Sequence, residues 1–351
     1  MVLSKYRPQA SKEIPFDDAV EALIEPVDPA RVGEQSEARR GEADFPPAAA
    51  RVSLVPPVWI DMVSPTAAEI AEVEQSLALE IPTRAEMEEI ELSSRLYEEN
   101  DALFMTAPVL HGAASDMPET TAVTFILTRS ALVTLRYANP LPLQAFTRRA
   151  ERLPHLIASP EIILLGLLEQ IVDRLADIME ATTLNLESVS RNIFHKGKRK
   201  GASDDFEDML RQLGHAGDLS TKAKESLLGL NRLLLFLSTQ SRLKKDGKTR
   251  LKSLMRDIAS ITEHGNFIAN KVTFLLDATL GLINIEQNNI VKIFTVASVA
   301  FLPPTLIASI YGMNFKLLPE LDWEFGYPFA IALMILSAVL PFWYFRRRGW
   351  L

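Results

Sequence analysis

A stripe of polar residues lies inside an apolar stretch near the carboxyl end of the chain. Its members are 7, 3, 7, 4 and 3 positions apart, and they are Asn288, Thr295, Ser298, Thr305, Ser309 and Gly312. On a helix supercoiled at about 3.5 residues per turn they fall within an arc of roughly 50°. Such a stripe favours a helix side that faces a water-filled lumen. The alternative is that the hydroxyl groups bond to their own helix, or that small side chains let neighbouring helices approach closely.

The segment IYGMNF (310–315) ends this apolar stretch at the point where a membrane helix would meet water. The segment that follows, LLPELDWEFGYP (317–328), contains three acidic residues, Glu320, Asp322 and Glu324. Carboxylates at the mouth of a pathway would raise the local concentration of cations. The alternative is an ordinary solvated loop. Together, the polar stripe and the acidic loop predict the outer mouth of a cation pore.

The composition argues against several other kinds of chemistry. The chain has 351 residues, a formal net charge of −8, five histidines and no cysteine. Without cysteine there are no disulfides, thiolate metal sites or cysteine nucleophiles. The histidines lack the H-x₃-H and HExxH spacings of zinc sites, and we find neither a G-x-x-x-x-G-K-[ST] nor a G-x-G-x-x-G nucleotide loop. We therefore expect no enzyme activity, no organic cofactor, no nucleotide and, because the chain is acidic, no nucleic-acid partner.

Two charge-free apolar runs are long enough to carry the stripe and the loop across a lipid bilayer. They cover residues 293–311 and 328–345, and a membrane helix needs about 20 apolar residues. Lys292 precedes the first run, and the basic tail 346–351 follows the second. The positive-inside rule then predicts cytoplasmic termini and an external loop at 313–327. Since the first residues lack an apolar signal peptide, we expect the C-terminal spans to take the chain into the membrane.

A heptad pattern ahead of the first run predicts a stalk helix over residues 249–312, which enters the membrane at about 293. Its seam positions step by three or four residues and are Leu251, Leu254, Ile258, Ile261, Gly265, Ile268, Val272, Leu275, Thr279 and Leu282. A helix with this pattern packs along one face. No proline interrupts it before the first span, so one helix of about 95 Å could continue into the membrane. The pattern leaves open whether the seam packs inside its own chain or against copies of it.

The remaining residues predict a soluble body in three parts. Residues 1–50, rich in alanine, proline and glutamate, are interpreted as a mobile extension. Residues 51–159 predict an α/β domain, with strands at 58–62, 102–110, 122–128 and 131–137 and helices at 67–80 and 83–95. Residues 160–248 predict an antiparallel helical pair, formed by 160–194 and 204–244.

Several segments around the spans resemble the CorA family of magnesium channels. They are INIEQN (283–288), FLPPTLIASIYGMNF (301–315), LLPELDWEFGYP (317–328) and the tail RRRGWL (346–351). A GMN tripeptide alone is weak evidence, but GMN at the end of the first of two C-terminal spans, before a PEL loop and a basic tail, is specific. The close resemblance covers residues 256–351, and weaker similarity at 58–62 and 81–100 extends it to the N-terminal domain.

The resemblance implies an α+β membrane protein with a cytoplasmic α/β/α domain, long stalk helices and two C-terminal transmembrane helices. It implies a homopentamer in the bacterial inner membrane that takes up magnesium passively, driven by the membrane potential, and also cobalt, with nickel as a further candidate. The implied selectivity filter is Gly312, Met313 and Asn314. The implied pore wall overlaps the polar stripe and consists of Asn288, Phe294, Ser298, Leu302 and Thr305.

Family resemblance also implies regulation by the transported ion, because intracellular magnesium binds between neighbouring soluble domains and holds the pore shut. A rough alignment makes Glu88 or Glu89 and Asp257 the candidate ligands, and Asp277, near the inner entrance, a further candidate. The alternative for each is an ordinary surface acid. Magnesium is therefore expected as the transported ion and as a regulatory ligand.

The physics of hydrated magnesium agrees with the implied filter. Magnesium binds water tightly and usually keeps several waters in a protein site. A ring of Asn314 carbonyl groups could accept hydrogen bonds from these waters, whereas carboxylates at the same point would hold the ion too tightly to release it. Phe294 and Leu302 could form constrictions that close by dewetting.

Two other functions stay open from the sequence. One is a zinc transporter of the same superfamily, although the loop FKLLPELDWEFGYP (315–328) differs from the glycine-rich loop that such proteins tend to carry. The other is a membrane-anchored sensor that does not conduct ions. The polar stripe and the GMN segment argue against a sensor, because a mere anchor needs neither.

Overall fold

The computed structural model describes residues 2–6, 58–89, 91–195, 202–240, 243–313 and 323–348. The strands in these ranges are β1 (Val2–Tyr6), β2 (Trp59–Val63), β3 (Leu96–Glu99), β4 (Ala102–His111), β5 (Glu119–Leu127) and β6 (Leu132–Arg136). The α-helices are α1 (Ala67–Leu77), α2 (Arg84–Glu88), α3 (Leu92–Arg95), α4 (Leu141–Arg152), α5 (Pro160–His195), α6 (Ala202–Thr239), α7 (Lys245–Tyr311) and α8 (Gly326–Arg347). A short 3₁₀ helix covers Pro154–Ile157.

The chain divides into two compact units. The first unit contains residues 1–185 and 215–270, and the second contains residues 186–214 and 271–351. The first unit therefore holds the sheet and most of the helical body, whereas the second holds the adjoining ends of α5 and α6, the later part of α7 and all of α8.

The first unit is built on one mixed sheet with strand order β1-β2-β6-β5-β4-β3. Neighbouring strands are antiparallel except for β2 and β6, which are parallel. Both faces of the central strands are covered, since four of the five residues of β2 and all five of β6 are buried. Strands buried on both faces are expected to be nearly continuous in apolar residues, and this explains why the sequence indicated four of the six strands correctly.

A buried ion pair crosses the parallel pair of strands. Arg136 donates from Nη2 and Nε to the Asp61 carboxylate over 2.6 and 3.3 Å. Thr134 donates to the same carboxylate over 2.6 Å, and its oxygen accepts the Trp59 indole N–H over 3.1 Å. Because Asp61 and Arg136 are almost fully buried, each charge depends on the other for its solvation.

The predicted helix over 83–95 is wrong in the middle, where the chain forms two short helices. Thr83 caps α2, and its hydroxyl and the Glu86 carboxylate satisfy each other's backbone N–H groups. At Glu89 the backbone leaves the helical region, with φ −57° and ψ 146°. Arg95 donates to the Glu89 carbonyl, and β3 starts at Leu96, which pairs with Met105. The need to enter the sheet therefore overrides the local preference for helix.

The prediction that residues 1–50 form a separate extension is wrong for residues 2–6. These residues form β1, which pairs along its whole length with β2, from Val2 opposite Val63 to Tyr6 opposite Trp59. The rings of Tyr6 and Trp59 stack with centroids 4.5 Å apart. Residues 7–50 lie outside the described part of the chain. The strand β3 and the helix α4 were also not predicted.

The long helical body agrees closely with the sequence pattern. The predicted pair 160–194 and 204–244 corresponds to α5 and α6, and α7 runs for 67 residues without a break. In the first unit, the seam residues Leu251, Leu254, Ile258 and Ile268 are buried. A Cβ added to Gly265 would lie 3.1 Å from both Met179 on α5 and Lys224 on α6. In the first unit, the seam therefore packs inside its own chain.

The second unit contains the two apolar helices that could span a membrane. Each has an apolar stretch of suitable length, and only 6% of each stretch is buried. The first lies in the C-terminal part of α7 and the second is α8. The fold is thus the predicted one: a mixed-sheet domain, a long helix and two apolar C-terminal helices.

Candidate ion pathway

The residues of the implied pore wall all lie on α7, and all five are exposed on the single chain. Phe294 and Leu302 are the bulky members, with 69% and 66% of their surface exposed. Asn288, Ser298 and Thr305 are the polar members. In helix order, polar and apolar levels alternate along α7, which is the arrangement a lined pathway with constrictions requires.

The threonine hydroxyls of the stripe bond to their own helix. Thr295 donates to the Val291 carbonyl over 2.8 Å, and Thr305 donates to the Phe301 carbonyl over 2.7 Å. For Thr295 and Thr305, the alternative stated from the sequence therefore holds: their hydroxyl groups bond to their own helix. A hydroxyl oxygen nevertheless keeps acceptor capacity after its proton is used. Because the waters around a cation present their protons outward, a hydroxyl with only acceptor capacity suits a hydrated cation.

Backbone hydrogen bonds continue for two residues past Tyr311, the last residue of α7. The Gly312 N–H donates to the Ala308 carbonyl over 2.9 Å, and the Met313 N–H donates to the Ile310 carbonyl over 3.2 Å. A Cβ added at Gly312 would lie 3.0 Å from the Ala308 oxygen, which is a tight contact. Met313 is exposed.

Three of the residues predicted for the outer mouth lie outside the described ranges, namely Asn314, Glu320 and Asp322. Glu324 is described, and it is exposed just before α8. The filter (Gly312, Met313 and Asn314) and the acidic loop therefore stay predictions.

The double proline inside the first span does not end the helix. Pro303 and Pro304 lie within α7, which continues to Tyr311. Since proline has no N–H, the carbonyl groups of Val299 and Ala300 lose their usual helical donors. In a bilayer, such carbonyls are tolerated where protein or a water-filled cavity satisfies them.

Aromatic side chains mark both ends of the second span. Trp323 and Tyr327 are exposed at its start, and Trp343 and Tyr344 are exposed near its end. Tryptophan and tyrosine are enriched where membrane proteins meet the headgroups. Together with the length of α8, these positions are consistent with a helix that crosses one bilayer thickness.

The candidate regulatory acids do not converge within one chain. Glu88 pairs with Arg84 over 2.9 Å, with more than half of each side chain exposed. Glu89, Asp257 and Asp277 are exposed as well. Among the described residues, no group of three or more acids or histidines is arranged to hold a metal ion. The regulatory role of these acids therefore stays a prediction.

One acidic row was missed from the sequence. Glu169, Asp173 and Asp177 follow one another at intervals of four residues along α5, and Asp173 interacts with Asp257 of α7. Burial and repulsion from these three carboxylates raise the pKa of Asp173, and Arg149 opposes the shift. The signal was present as acids at i, i+4 and i+8 in EQIVDRLAD (169–177), but only the packing of α7 against α5 brings Asp257 to the row.

The negative charge of Glu169, at one end of the acidic row, is paired with an arginine. Arg250 of α7 donates to both oxygens of Glu169, over 2.9 and 2.7 Å. This bidentate pair joins α7 to α5 at the Glu169 end of the row. Asp257 is thus a candidate regulatory residue that interacts with Asp173 of the acidic row in the single chain.

The family profile and the curated relatives that match this chain belong to the same family. The profile described as "CorA-like Mg2+ transporter protein" matches residues 57–347. The "Magnesium transport protein CorA" of Salmonella typhimurium is 38% identical over 301 residues, covering 85% of this chain and 93% of the relative. The protein of the same name from Escherichia coli strain K12 is 38% identical over 300 residues, with the same coverage.

The fold also has a counterpart of known structure. The complete structure of the CorA magnesium transporter from Methanocaldococcus jannaschii superposes with a TM-score of 0.64 at 19% identity, covering 84% of this chain and 91% of the other. At this identity the likeness shows the fold, including the long helix and the two C-terminal apolar helices.

Proposed function

The chain belongs to the CorA-like Mg²⁺ transporter family, and from that premise we propose that it is a homopentameric magnesium channel of the bacterial inner membrane. Both termini lie in the cytoplasm, and uptake is passive. The observation that carries this proposal is the exposed stripe on α7, where polar and apolar levels alternate from Asn288 to Thr305 and lead to Gly312 and Met313.

A ring of subunits follows from the number of spans. Two helices per chain cannot enclose a water-filled pathway, so the stripe needs copies of itself to form a wall. The later part of α7 also exposes bulky apolar residues, such as Phe274, Ile285 and Val291. Since the seam of α7 is already occupied inside the chain, this second face is available for neighbouring copies. The number five comes from the family resemblance.

Selection acts on the hydrated ion in this mechanism. Asn314 carbonyl groups, held in a ring after Gly312 and Met313, accept hydrogen bonds from the waters of magnesium. The back-bonded oxygen of Thr305 offers further acceptors along the wall. Glu320, Asp322 and Glu324 concentrate cations at the outer mouth. Cobalt, and nickel as a further candidate, enter as divalent cations by the same route.

The membrane potential supplies the driving force. A divalent ion that enters a negative cytoplasm gains about 4.6 kcal/mol per 100 mV, twice the value for a monovalent ion. No nucleotide is needed for uptake. Phe294 and Leu302 form apolar constrictions that close by dewetting when the ring tightens.

Cytoplasmic magnesium closes the channel in this proposal. The ion relieves repulsion between carboxylates of neighbouring subunits, with Asp257 and its acidic row on one side and Glu88 or Glu89 on the other. Asp277 contributes nearer to the membrane. When cytoplasmic magnesium falls, the repulsion returns and the ring loosens. An Asp257→Lys variant that keeps full magnesium-dependent closure would contradict this assignment.

The decisive experiment is uptake into liposomes that contain a magnesium-sensitive dye, under an inside-negative potential. The wild type is compared with Asn314→Ala and with Asn289→Ala, which removes an amide next to the stripe. We expect uptake by the wild type and by Asn289→Ala, and loss of uptake in Asn314→Ala with the oligomer intact. Equal uptake by all three would remove Asn314 from the filter. No uptake by the wild type, even without magnesium on the cytoplasmic side, would favour the non-conducting sensor.

A further inference from the structure

Two arginines at the end of α8 stack on aromatic rings one helical turn earlier. The Arg347 guanidinium carbon lies 5.4 Å from the centroid of the Trp343 ring, and that of Arg348 lies 5.6 Å from the Tyr344 ring. Both arginines and both rings are exposed. The two stacks occupy consecutive positions at the same end of α8, and together they are called the α8 arginine–aromatic pair site (Trp343, Tyr344, Arg347 and Arg348).

The positive charge of this surface has no counterpart nearby. Among the described residues, no carboxylate forms an ion pair with Arg346, Arg347 or Arg348, and α8 contains no acidic residue. A helix C-terminus tolerates cations through its dipole, which accounts for basic residues here in general. It does not account for an aromatic ring under each of two arginines.

Stacking holds a guanidinium in place while its N–H groups remain free. Cation–π contact restrains the side chain, and the planar fork of N–H donors matches the oxygens of a phosphate group. A pre-positioned pair of forks therefore loses less conformational freedom on binding a phosphate than two free arginines would.

The position of the surface indicates where that phosphate comes from. Trp343 and Tyr344 lie at the end of a helix long enough to span the bilayer, at the level where aromatic residues meet lipid headgroups. The geometry points to a binding site for the headgroup phosphate of an anionic phospholipid, held by Arg347 and Arg348 on their aromatic supports. This inference depends on the proposed membrane topology of α8 but not on ion conduction.

The test measures lipid retention by the full chain. The detergent-purified oligomer is exposed to equimolar phosphatidylglycerol and phosphatidylcholine, separated by size exclusion, and the lipids bound per chain are counted by mass spectrometry. We expect phosphatidylglycerol to be retained over phosphatidylcholine by about fivefold or more, since each arginine near an anionic headgroup favours it by about that factor.

Charge-conserving variants separate a built site from general attraction. The double variant Arg347→Lys with Arg348→Lys keeps the charge but loses the planar forks, so the preference should fall about twofold and should not vanish. Arg346→Lys is the matched control, because Arg346 makes no ring contact among the described residues, and its preference should be unchanged. Equal effects of the two changes would overturn the proposal.

Ring variants keep the test independent of the arginines. Trp343→Leu should lower the preference, whereas Trp323→Leu, which removes an aromatic residue before the other end of α8, should not. Equal retention of both lipids by the wild type would overturn the proposal, as would displacement of phosphatidylglycerol by soluble glycerol 3-phosphate, which would indicate a site for free phosphates. Because uptake is measured separately, a wild type that retains phosphatidylglycerol without conducting magnesium would refute the channel and leave this inference standing.

Discussion

The two units of the chain differ in how they bury apolar surface. In the first unit, the sheet and the seam of α7 are covered by other parts of the same chain, and side chains such as Met62, Phe125 and Leu164 are fully buried. In the second unit, the two apolar stretches are 6% buried. The first unit therefore covers its apolar core with its own chain, whereas the second leaves its two apolar stretches uncovered by the chain. Substitutions should accordingly affect folding in the first unit and assembly or conduction in the second.

The largest expected effect is on the buried ion pair of the first unit. Asp61→Ala leaves the Arg136 guanidinium buried without its carboxylate, and breaking such a pair typically costs about 3–5 kcal/mol. Thermal unfolding of the full protein should show a strongly lowered midpoint. Glu88→Ala, which breaks the exposed pair with Arg84, is the matched control and should cost less than about 1 kcal/mol. Similar effects of the two changes would mean that the sheet does not depend on this pair.

Two glycines on α6, one in each unit, test whether the first unit is packed more tightly than the second. Gly229 belongs to the first unit, and a Cβ added there would lie 2.3 Å from Cδ of Pro108. Gly214 belongs to the second unit, and a Cβ added there would have none of the described atoms of other elements within 4 Å. Gly229→Ala should destabilise by about 1–3 kcal/mol through overpacking. Gly214→Ala should stabilise by about 0.5–1 kcal/mol, because alanine has the higher helix propensity. Denaturant unfolding measures both, and the same sign for both would contradict the packing described.

Thr305 tests the second unit through conduction. Thr305→Val keeps the shape of the side chain and removes its oxygen, so uptake should fall by about two- to tenfold, which corresponds to one lost hydrogen bond. Thr305→Ser should restore it. The control is Thr262→Val, because Thr262 bonds to its own helix in the same way, over 2.7 Å to Ile258, but lies in the first unit. Normal uptake by Thr305→Val would place Thr305 off the pathway.

The smallest expected effect concerns pH in the acidic row. Burial, together with Glu169, Asp177 and Asp257, raises the pKa of Asp173. The folded state thus holds this proton more tightly than the unfolded chain, in which an aspartate titrates near about 3.9. The stability from this group is present below that value and is lost as pH rises through the raised folded pKa. Asp173→Asn should therefore raise the unfolding temperature slightly at neutral pH, and the gain should vanish in acid.

Added magnesium should change the difference in unfolding temperature between Asp173→Asn and the wild type. If the ion binds at the acidic row, as proposed for regulation, it should reduce the repulsion on Asp173 and so narrow the difference between Asp173→Asn and the wild type. Asp208→Asn, an exposed aspartate on α6, is the control and should respond to neither pH nor magnesium in this way. A gain for Asp173→Asn that grows on acidification would reverse the sign argued here.

Much of the fold followed from periodicity, because the pattern and the packing agree there. The steps of three and four from Leu251 to Leu282 predicted the seam, and buried strands such as VWIDM are apolar enough to be recognised alone. Where the local sequence pattern and the packing disagree, the prediction from the sequence was wrong. Residues 83–95 have helix-forming composition, yet the chain must turn at Glu89 to enter β3. Residues 2–6 became a strand because β2 offers them an edge, which no local pattern encodes.

The candidate site divides in the same way. The polar stripe, the GMN segment and the basic tail are local in sequence and could be found there. The hydroxyl bonds of Thr295 and Thr305 and the rings beneath Arg347 and Arg348 depend on side-chain conformations, which the sequence does not specify. The acidic row needed two helices to meet, since Asp257 is eighty residues or more from Glu169, Asp173 and Asp177.

The sequence by itself determined which residues are apolar at which period, and hence the two spans, the long helix and the family. It did so because a lipid bilayer and a helical seam each impose a strict spacing on a continuous segment. Only the tertiary structure decided that the seam of α7 is filled by α5 and α6 of the same chain. That choice depends on contacts between segments far apart in sequence, such as Gly265 against Met179 and Lys224.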